Sequence, residues 1–370
     1  MNKILVNALS VTNQSGLHVL AGHLDQLAGE FQIIVLARQS MCELKNRLGG
    51  RVGWIDAPEK TAGWLPRALW EFRGLGKTAR STGAQFYFTP SGIAASRLSI
   101  PQVVLCQNPW CMVPSARRKT DALKAWLQRR AYRMTMRRAG VMVFNSEYMR
   151  EAYRRNAGFN EKRSIIAYQA ADDETRRRAE QWKDSPRKPG QILCVSAMAP
   201  HKNIESLISA FAQLRPEPSL HLVGSWPDSE YEKKIRTMVA SLGLVDKVHF
   251  TGFVSREELD RLYAESQVFC LMSRCESFGI PAIEAQLFGT PVVCSNVCAV
   301  PEICGDGGLF FNPDDVDGIA AALNRLLTNA AEWNRFSVMA RSNAAKYSWE
   351  ICSRPLVGLF KSADERNSDG

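Results

Sequence analysis

The amino-acid sequence predicts an α/β protein with two doubly wound domains, each built on a parallel sheet. Three observations support this prediction: short apolar runs alternate with longer mixed segments, the alternation occurs twice, and a polar stretch separates the two halves. The chain has 370 residues, which suits two domains of roughly 150 to 200 residues each. We therefore expect domains at residues 1–170 and 191–349, joined by a linker at residues 171–190.

The strands of both sheets are predicted from short runs rich in apolar and β-branched residues. In the first half these runs are Ile4–Val6, Gln32–Leu36, Phe86–Phe88, Gln102–Cys106, Val141–Phe144 and Ile165–Ala167. In the second half they are Ile192–Val195, Leu220–Val223, Val248–Phe250, Val268–Leu271, Val292–Cys294 and Leu309–Phe311. The longer segment after each run can supply a crossover helix, which predicts parallel strands in both sheets.

The linker is placed where the sequence loses its apolar period. Residues 171–190 contain three consecutive arginines and then two prolines and a glycine. A short exposed helix over Asp173–Trp182 is the alternative. At the other end of the chain, apolar residues recur after Trp349 and predict a final helix over about 350–362, followed by a polar tail that we expect to fray.

Composition places the chain among ordinary globular proteins. Hydrophobic residues make up 45% and charged residues 23% of the sequence, and no apolar run approaches the roughly 20 residues that cross a bilayer. Because the first residues enter a strand without the pattern of a secretory signal, we expect a cytoplasmic protein. The ten cysteines lack C-x-x-C spacing and the histidines lack ligand spacing, so we expect reduced core thiols and no metal.

The stretch from Glu276 to Glu284 has the strongest functional signal. It follows the predicted strand Val268–Leu271 and leads into a helix that begins near Pro281, a residue suited to a first helical turn. Gly279 lets the backbone approach a ligand closely, and the free amides of a helix start favour an anion. The residues expected to bind that anion are Ser277, Phe278, Gly279 and Ile280.

The same stretch, together with Gly289-Thr290-Pro291, resembles the donor-sugar site of retaining glycosyltransferases of family four, which have the GT-B fold. The resemblance implies two Rossmann-like domains facing across a cleft, and a final helix that returns to the first domain. It also implies that Glu276 holds the transferred sugar and Glu284 the ribose of a nucleoside diphosphate sugar. Taken without the resemblance, Glu276 could be a solvated loop charge and Glu284 an ordinary helix residue.

Lys202 is the residue predicted to stabilise the negative charge of the leaving diphosphate. The segment Pro200-His201-Lys202-Asn203 follows the first strand of the second domain and matches the K-N motif of the resembling family. Many relatives have an arginine five positions before this lysine, where this chain has Ala197. A solvated lysine at a helix start is the alternative reading.

Three further positions resemble donor-proximal turns of the family. Gly224 ends one strand, and the Phe253-Val254 backbone follows the next, where both are expected to border the base. In the first domain, Gly16 lies in a loop that follows a strand and opens a helix, so the amides of this loop can face the cleft. Each of these could instead be a plain turn residue at a strand end.

Gln107 marks a departure from the resembling family. Many relatives have a histidine at this strand end and use it near the transferred sugar, whereas this chain has Gln107-Asn108. An amide can hydrogen-bond a sugar but cannot shuttle a proton near neutral pH. The two amides could also merely cap the strand. Because the resemblance supplies no nucleophile, it implies front-face transfer with retention, in which the departing phosphate accepts the acceptor's proton.

The segment from Arg117 to Arg138 predicts a contact with an anionic partner. It contains nine basic residues and a single acid, Asp121, and the chain as a whole has a formal net charge of +10. We expect a basic amphipathic helix that rests on anionic lipid, with a core-packed helix as the alternative. The apolar residues at helical spacing are Leu123, Trp126, Leu127, Ala131 and Met134.

These observations predict a hexosyltransferase that uses a nucleotide-sugar donor and a glycan or lipid-linked acceptor, in the assembly of bacterial-type surface polysaccharide or lipopolysaccharide. No metal is expected, and no nucleic-acid partner, because no nucleic-acid-binding signature accompanies the basic segment. Two alternatives remain open at this point: a non-catalytic scaffold that binds sugar nucleotides, and a nucleotide-sugar epimerase of the same fold. The missing histidine at Gln107 weakens the epimerase reading.

Overall fold

The computed structural model describes residues 2–114, 119–157, 163–215 and 218–368. The described chain divides into two compact units. The first holds residues 2–112, 119–157, 163–170 and 349–368, and the second holds residues 113–114 and the described part of 171–348. No helix among the described residues is long and apolar enough to span a bilayer.

The first unit is built on a parallel sheet of seven strands within the described residues. The strands are β1 Lys3–Asn7, β2 Gln32–Arg38, β3 Gly53–Ala57, β4 Phe86–Thr89, β5 Gln102–Cys106, β6 Val141–Phe144 and β7 Ser164–Ile166. Their order across the sheet is β3-β2-β1-β4-β5-β6-β7. The chain therefore winds in both directions from the centre, as a doubly wound sheet requires.

Helices cover both faces of this sheet. They are α1 Gln14–Ala28, α2 Cys42–Leu48, α3 Trp64–Thr82, α4 Ala122–Arg138, α5 Glu147–Ala157 and, from the end of the chain, α14 Trp349–Ser368. On one face, the ring of Phe360 meets the rings of Phe86 and Phe88 edge-on. Near the start of α14, Trp349 packs so closely on Gly22 that a Cβ there would lie 2.0 Å from the indole ring. Aromatic packing thus fixes α14 to this unit.

The second unit is built on a parallel sheet of six strands within the described residues. The strands are β8 Lys188–Val195, β9 Ser219–Val223, β10 Val248–Gly252, β11 Ser266–Leu271, β12 Val292–Ser295 and β13 Gly308–Phe311. Their order is β10-β9-β8-β11-β12-β13. The helices are α6 Asp173–Gln181, α7 Ile204–Phe211, α8 Ser229–Ser241, α9 Arg256–Glu265, α10 Ile280–Leu287, α11 Val300–Cys304, α12 Val316–Thr328 and α13 Ala330–Ala344.

The predicted α/β class with two doubly wound parallel sheets is confirmed, and the structure adds one strand. Every predicted strand is present within a few residues of its expected bounds. Strand β3 was not predicted, because its sequence Gly-Trp-Ile-Asp-Ala has no β-branched run. It lies at the sheet edge, where one neighbour suffices.

Two segments expected to be irregular are regular instead. Residues 171–190, predicted as a linker, contain α6 and the start of β8, and α6 buries Thr175 and Ala179. The alternative of a helix over Asp173–Trp182 therefore matches to within one residue, although the helix is not wholly exposed. The tail expected to fray after residue 362 continues α14 to Ser368.

Candidate active site

The predicted donor-site residues of the second unit gather where the winding of its sheet reverses. Strands β8 and β11 are neighbours at the centre, with β9 beyond one and β12 beyond the other. Ligands of open parallel sheets bind beyond the carboxyl ends of the strands at such a switch point. The loop after β8 carries Lys202, and the loop after β11 carries Glu276.

Lys202 and Glu276 are paired with each other at this point. The Lys202 ammonium donates to Oε1 of Glu276, and the Ser273 hydroxyl donates to the same oxygen at 3.0 Å. Each side chain of the ion pair is 15% exposed, so the pair is accessible only along one edge. An ion pair so little solvated interacts more strongly than a surface pair. The two residues predicted from separate motifs therefore form one polar centre.

The loop that carries Lys202 is fixed by buried polar contacts. Pro200–Lys202 forms a single 3-10 turn, and Asn203 ends it in the left-handed region at φ 55°. Asn203 is fully buried; its Nδ2 donates to the Pro313 carbonyl at 2.7 Å. The Arg274 amide donates to the His201 carbonyl at 2.8 Å. This bond ties the Lys202 loop to the loop of Glu276 and keeps the two charges in register.

His201, beside Lys202, does not carry charge near neutral pH. Burial, assisted by the Lys202 ammonium, lowers the pKa of His201 to about 4. The imidazole therefore adds no charge to the centre formed by Lys202 and Glu276, and a neutral ring keeps one N–H donor.

Gly279 shapes the turn between Glu276 and α10. Its φ is 105°, a left-handed value that favours glycine, and it stands at the N-cap of α10. Phe278 is 1% exposed, and its ring meets that of Tyr347 edge-on at 5.5 Å. The buried ring anchors the turn, while Ser277 and Ile280 on either side are half-buried. The turn directs the start of α10, with its positive dipole end, toward the switch point.

Glu284 is held by two protein donors that the sequence did not reveal. Nη1 of Arg256 donates to its Oε1 at 3.0 Å, and the hydroxyl of Tyr263 donates to its Oε2 at 3.0 Å. The Glu284 side chain is 12% exposed. The Glu284 carboxylate is therefore held in a defined orientation by Arg256 and Tyr263, and its contact with ribose stays a prediction.

Gly224 occupies a position where a side chain would not fit. Its φ is 130°, and a Cβ would lie 1.9 Å from the Ser196 carbonyl oxygen. Its amide donates to the Gly252 carbonyl at 2.8 Å, which joins the ends of β9 and β10. Beyond β10, Phe253 is 84% exposed while Val254 packs against the core. The two predicted base-proximal turns are thus neighbours at one edge of the switch point.

Gly16 and Gln107 belong to the first unit. The Gly16 amide donates to Oδ1 of Asn13 at 2.8 Å, which caps α1, and the contact of the Gly16 loop with a donor stays a prediction. Gln107 follows β5 and is half-buried. Oδ1 of Asn108 accepts from the Trp110 amide at 3.0 Å, which supports the capping role for Asn108 alone.

Comparison with known families accounts for nearly the whole chain. The model of the family described as Glycosyl transferases group 1 matches residues 175–343, and that of the Glycosyl transferase 4-like domain matches residues 15–169. The chain belongs to the group 1 glycosyltransferases. The resemblance drawn from the Glu276–Glu284 stretch is thereby confirmed.

Solved structures confirm the GT-B fold of this group 1 glycosyltransferase. Sucrose-phosphate synthase from Thermosynechococcus elongatus superposes with a TM-score of 0.77 at 20% identity, over 99% of this chain and 100% of that one. The Anabaena protein HepE in complex with UDP superposes with a TM-score of 0.76 at 17% identity, over 98% and 100%. At these identities the likeness concerns the fold.

Among curated relatives, the O-antigen chain mannosyltransferase B of Escherichia coli is 32% identical over 174 residues, which are 46% of this chain and 46% of that protein. The chain thus spans about half the length of curated relatives of this kind that it matches.

Arg256 and Tyr263 are the site residues that sequence analysis missed. The sequence around Arg256 contains a partial signal for its structural role. Ser255 and Glu258 form the cap of α9, and Arg256 pairs with Asp260 one turn later. The contact of Arg256 with Glu284 joins residues 28 positions apart on two helices. No local pattern encodes such a contact.

Proposed function

We propose that this group 1 glycosyltransferase transfers a hexose from a nucleoside diphosphate sugar to a glycan or lipid-linked acceptor with retention, in the assembly of surface polysaccharide or lipopolysaccharide. The observation that carries the proposal is the convergence of Lys202, Glu276 and the start of α10 at the switch point of the second sheet. The name of the Escherichia coli relative supports a polysaccharide product.

Each charged group has a distinct task in this proposal. Glu276 accepts hydrogen bonds from hydroxyls of the transferred sugar, each worth roughly 1.5 to 3 kcal/mol. Lys202, with the amides of Gly279 and Ile280 at the start of α10, stabilises the charge that develops on the leaving diphosphate. Because these groups supply positive charge, we propose that the reaction needs no metal.

The bond changes of this reaction balance without a protein base. The bond between the anomeric carbon and the diphosphate oxygen breaks, and the acceptor hydroxyl oxygen bonds to the same face of that carbon. The proton of the acceptor hydroxyl passes to the departing diphosphate. Gln107 can hydrogen-bond the transferred sugar through its amide but takes no proton, which agrees with this route.

Donor hydrolysis tests the proposal most simply. The chain is incubated with UDP-, GDP-, ADP- and dTDP-hexoses, and released nucleotide and the anomeric form of the sugar are followed by NMR. We expect slow release of nucleotide and retained sugar from one donor, and loss of this release in Lys202→Ala. Lys234→Ala is the matched control, because Lys234 pairs with Glu205 on an exposed helix surface.

The two alternative functions give different results in the same experiment. A non-catalytic scaffold would bind a donor without releasing nucleotide, and an epimerase would return an epimerised sugar nucleotide. Neither alternative is favoured, because the curated relative is named as a transferase. Absence of nucleotide release from every donor, with and without a glycan acceptor, would contradict the transferase proposal.

We further propose that α4 rests on an anionic membrane surface. Leu123, Trp126, Leu127 and Met134 are 42% to 70% exposed, and Arg130 and Arg137 lie on the same outward side by helical period. The helix has no acidic residue, and it buries Ala125, Tyr132 and Thr135 instead. The exposure of these four apolar residues supports contact with lipid.

A second helix on the same face of the sheet adds to this support. Helix α3 has four large apolar residues that are 43% to 74% exposed: Trp64, Leu65, Leu69 and Phe72. In the sheet, Leu5 is paired with Tyr87, and Thr89 is paired with Val104. Because Tyr87 and Thr89 are two positions apart on β4, all four residues point to the same face. Helix α3 packs on that face through Leu75, and α4 packs on it through Tyr132.

Arg117 and Arg118, the first residues of the predicted basic segment, lie outside the described residues.

Vesicle sedimentation tests the membrane proposal. We expect binding to vesicles that contain phosphatidylglycerol, weaker binding at high salt, and little binding to neutral phosphatidylcholine. The double variant Trp126→Ser with Leu127→Ser should release the chain, whereas Val338→Ser, at a 70% exposed apolar position of the second unit, should not. Equal binding to neutral and anionic vesicles at all salt concentrations would contradict the electrostatic part.

A further inference from the structure

Glu284 belongs to a partly buried network of alternating charges, in which the Arg256 side chain is 37% exposed. The guanidinium of Arg256 donates from Nη1 to Glu284 at 3.0 Å and from Nε to Oδ1 of Asp260 at 2.9 Å. Asp260 is fully buried, and its other oxygen accepts from Nε of Arg178 at 2.5 Å. Arg256 therefore bridges two carboxylates, one that is wholly internal and one at the candidate site.

The hydrogen bonds on Glu284 leave part of its carboxylate available. A carboxylate offers roughly four acceptor positions. Arg256 occupies one on Oε1 and Tyr263 one on Oε2, which leaves one on each oxygen. The side chain is 12% exposed, so a ligand can reach it along one edge. One remaining position on each oxygen suits two vicinal hydroxyls of a single ring.

The burial of this network makes the charge of Arg256 important. A carboxylate that is little solvated stays ionised only beside a counter-charge and hydrogen-bond donors. Burial tends to lower the pKa of Arg256, but the carboxylates of Glu284 and Asp260 outweigh it and leave that pKa above its ordinary value. The guanidinium thus stays charged at every pH at which the chain is folded.

We propose that Arg256 is a positioning residue, which holds the Glu284 carboxylate turned so that its free acceptor positions meet the ribose hydroxyls of the donor. The inference rests on the proposed function, since it takes a nucleoside diphosphate sugar as the ligand. This role differs from a purely structural contact between α9 and α10. A structural contact would affect only stability, whereas a positioning residue also determines how well the site distinguishes ribose from deoxyribose.

Calorimetric titration with UDP, GDP and their 2′-deoxy counterparts tests this inference. In the wild type we expect one base to bind, with the ribonucleotide favoured about tenfold or more, because a hydrogen bond to a charged group is lost in the deoxy form. Glu284→Gln and Arg256→Ala should both reduce this ratio to near one. Arg256→Lys, which keeps the charge but cannot span both carboxylates, should retain part of it.

Arg261→Ala is the matched control on the same helix. Arg261 pairs with Glu258 and Glu265 at the surface and does not touch Glu284, so the ratio should equal that of the wild type. If Arg256→Ala does not fold, Arg256→Gln keeps much of the side-chain length without the charge and has the same expected result.

The outcomes separate this inference from the function on which it rests. A ratio that falls in Glu284→Gln but stays at the wild-type value in the Arg256 variants would overturn the positioning role and leave the ribose contact intact. A wild type that does not discriminate between ribose and deoxyribose, or binds neither nucleotide, would overturn the ribose contact and the inference together. Hexose transfer itself is judged by donor hydrolysis, which does not depend on this ratio.

Discussion

The ammonium of Lys202 donates to the carboxylate of Glu276, although the two groups are proposed to contact opposite sides of the bond that breaks. We expect donor binding to separate them, with the ammonium turning to the diphosphate and the carboxylate to the sugar. Ser273, which donates to Glu276 at 3.0 Å, can keep the carboxylate in place as the ion pair opens. The pair prevents either charge from being left uncompensated before the donor arrives.

Lys202→Ala should lower kcat by about 100-fold or more, since loss of one preorganised charge at a developing anion typically has an effect of this size. KM should change less. Steady-state kinetics with the donor identified by hydrolysis measure both constants. Lys234→Ala should retain wild-type values. An unchanged kcat in Lys202→Ala would remove Lys202 from the site.

The ion pair also predicts a coupling in stability. Lys202→Ala leaves the Glu276 carboxylate, 15% exposed, without its counter-charge. The losses in free energy of unfolding caused by Lys202→Ala and by Glu276→Ala should therefore add up to more than the loss caused by the double variant. We expect a coupling of about 0.5 to 3 kcal/mol in the free energy of unfolding, from denaturant titrations of a double-mutant cycle. Strict additivity would mean that the pair contributes nothing to folding.

Glu284→Ala should raise KM for the donor about 10- to 100-fold with a smaller change in kcat, because a contact to ribose is made equally before and during transfer. The measurement is steady-state kinetics at saturating acceptor. A wild-type KM would show that the Glu284 carboxylate serves only the network of Arg256 and Tyr263.

Gly224→Ala should destabilise the second unit by about 3 kcal/mol, because the new methyl group would overlap the Ser196 carbonyl and φ there is 130°. Gly358→Ala is the matched control, since that helical glycine has no atom within 4 Å of an added Cβ. The control should gain roughly 0.5 to 1 kcal/mol. Denaturant unfolding compares the two, and an equal effect in both would contradict the close-approach argument.

Stability should fall with acid before the carboxylates titrate. Burial, assisted by the charge of His18, lowers the pKa of His23 to about 3, whereas an unfolded histidine titrates near 6.5. The unfolded state therefore binds the extra proton, and the stabilisation present above pH 6.5 is lost progressively as pH falls toward 3. The loss from this residue amounts to about 3 kcal/mol at pH 4.

His23→Gln removes this titration and provides the check. The difference in free energy of unfolding between pH 7 and pH 4.5 should shrink in the variant. It should not vanish, because the pKa of His201 and that of His221 are also lowered to about 4, chiefly by burial. An unchanged difference would mean that His23 takes up its proton in the folded state.

The sequence predicted the strands well because the buried strands of a parallel sheet are continuous apolar runs. Elements at the sheet edge and at the surface were harder to predict from the sequence. Strand β3 contains Asp56 and lies at an edge, and α6 consists mostly of charged residues and buries only Thr175 and Ala179. Neither element has enough apolar residues of its own to produce a recognisable hydrophobic period in the sequence.

The candidate site was predictable to the extent that its residues lie in short motifs. Lys202 and Glu276 each follow a strand directly, and the topology brings those strand ends together. Their pairing, and the contact of Arg256 with Glu284, depend on side chains from separate loops and helices. The bond from the Gly16 amide to Oδ1 of Asn13 is a local cap that the donor-site resemblance did not predict.

The most direct measurement is a thermal-shift panel of UDP-, GDP-, ADP- and dTDP-hexoses and a CMP-sugar against the wild type and Glu284→Ala. We expect sugars of one nucleotide to raise the melting temperature of the wild type and Glu284→Ala to lose most of this shift. A shift of equal size in both proteins, or no shift with any donor in the presence or absence of acceptor, would contradict the assignment of the donor site to Lys202, Glu276 and Glu284.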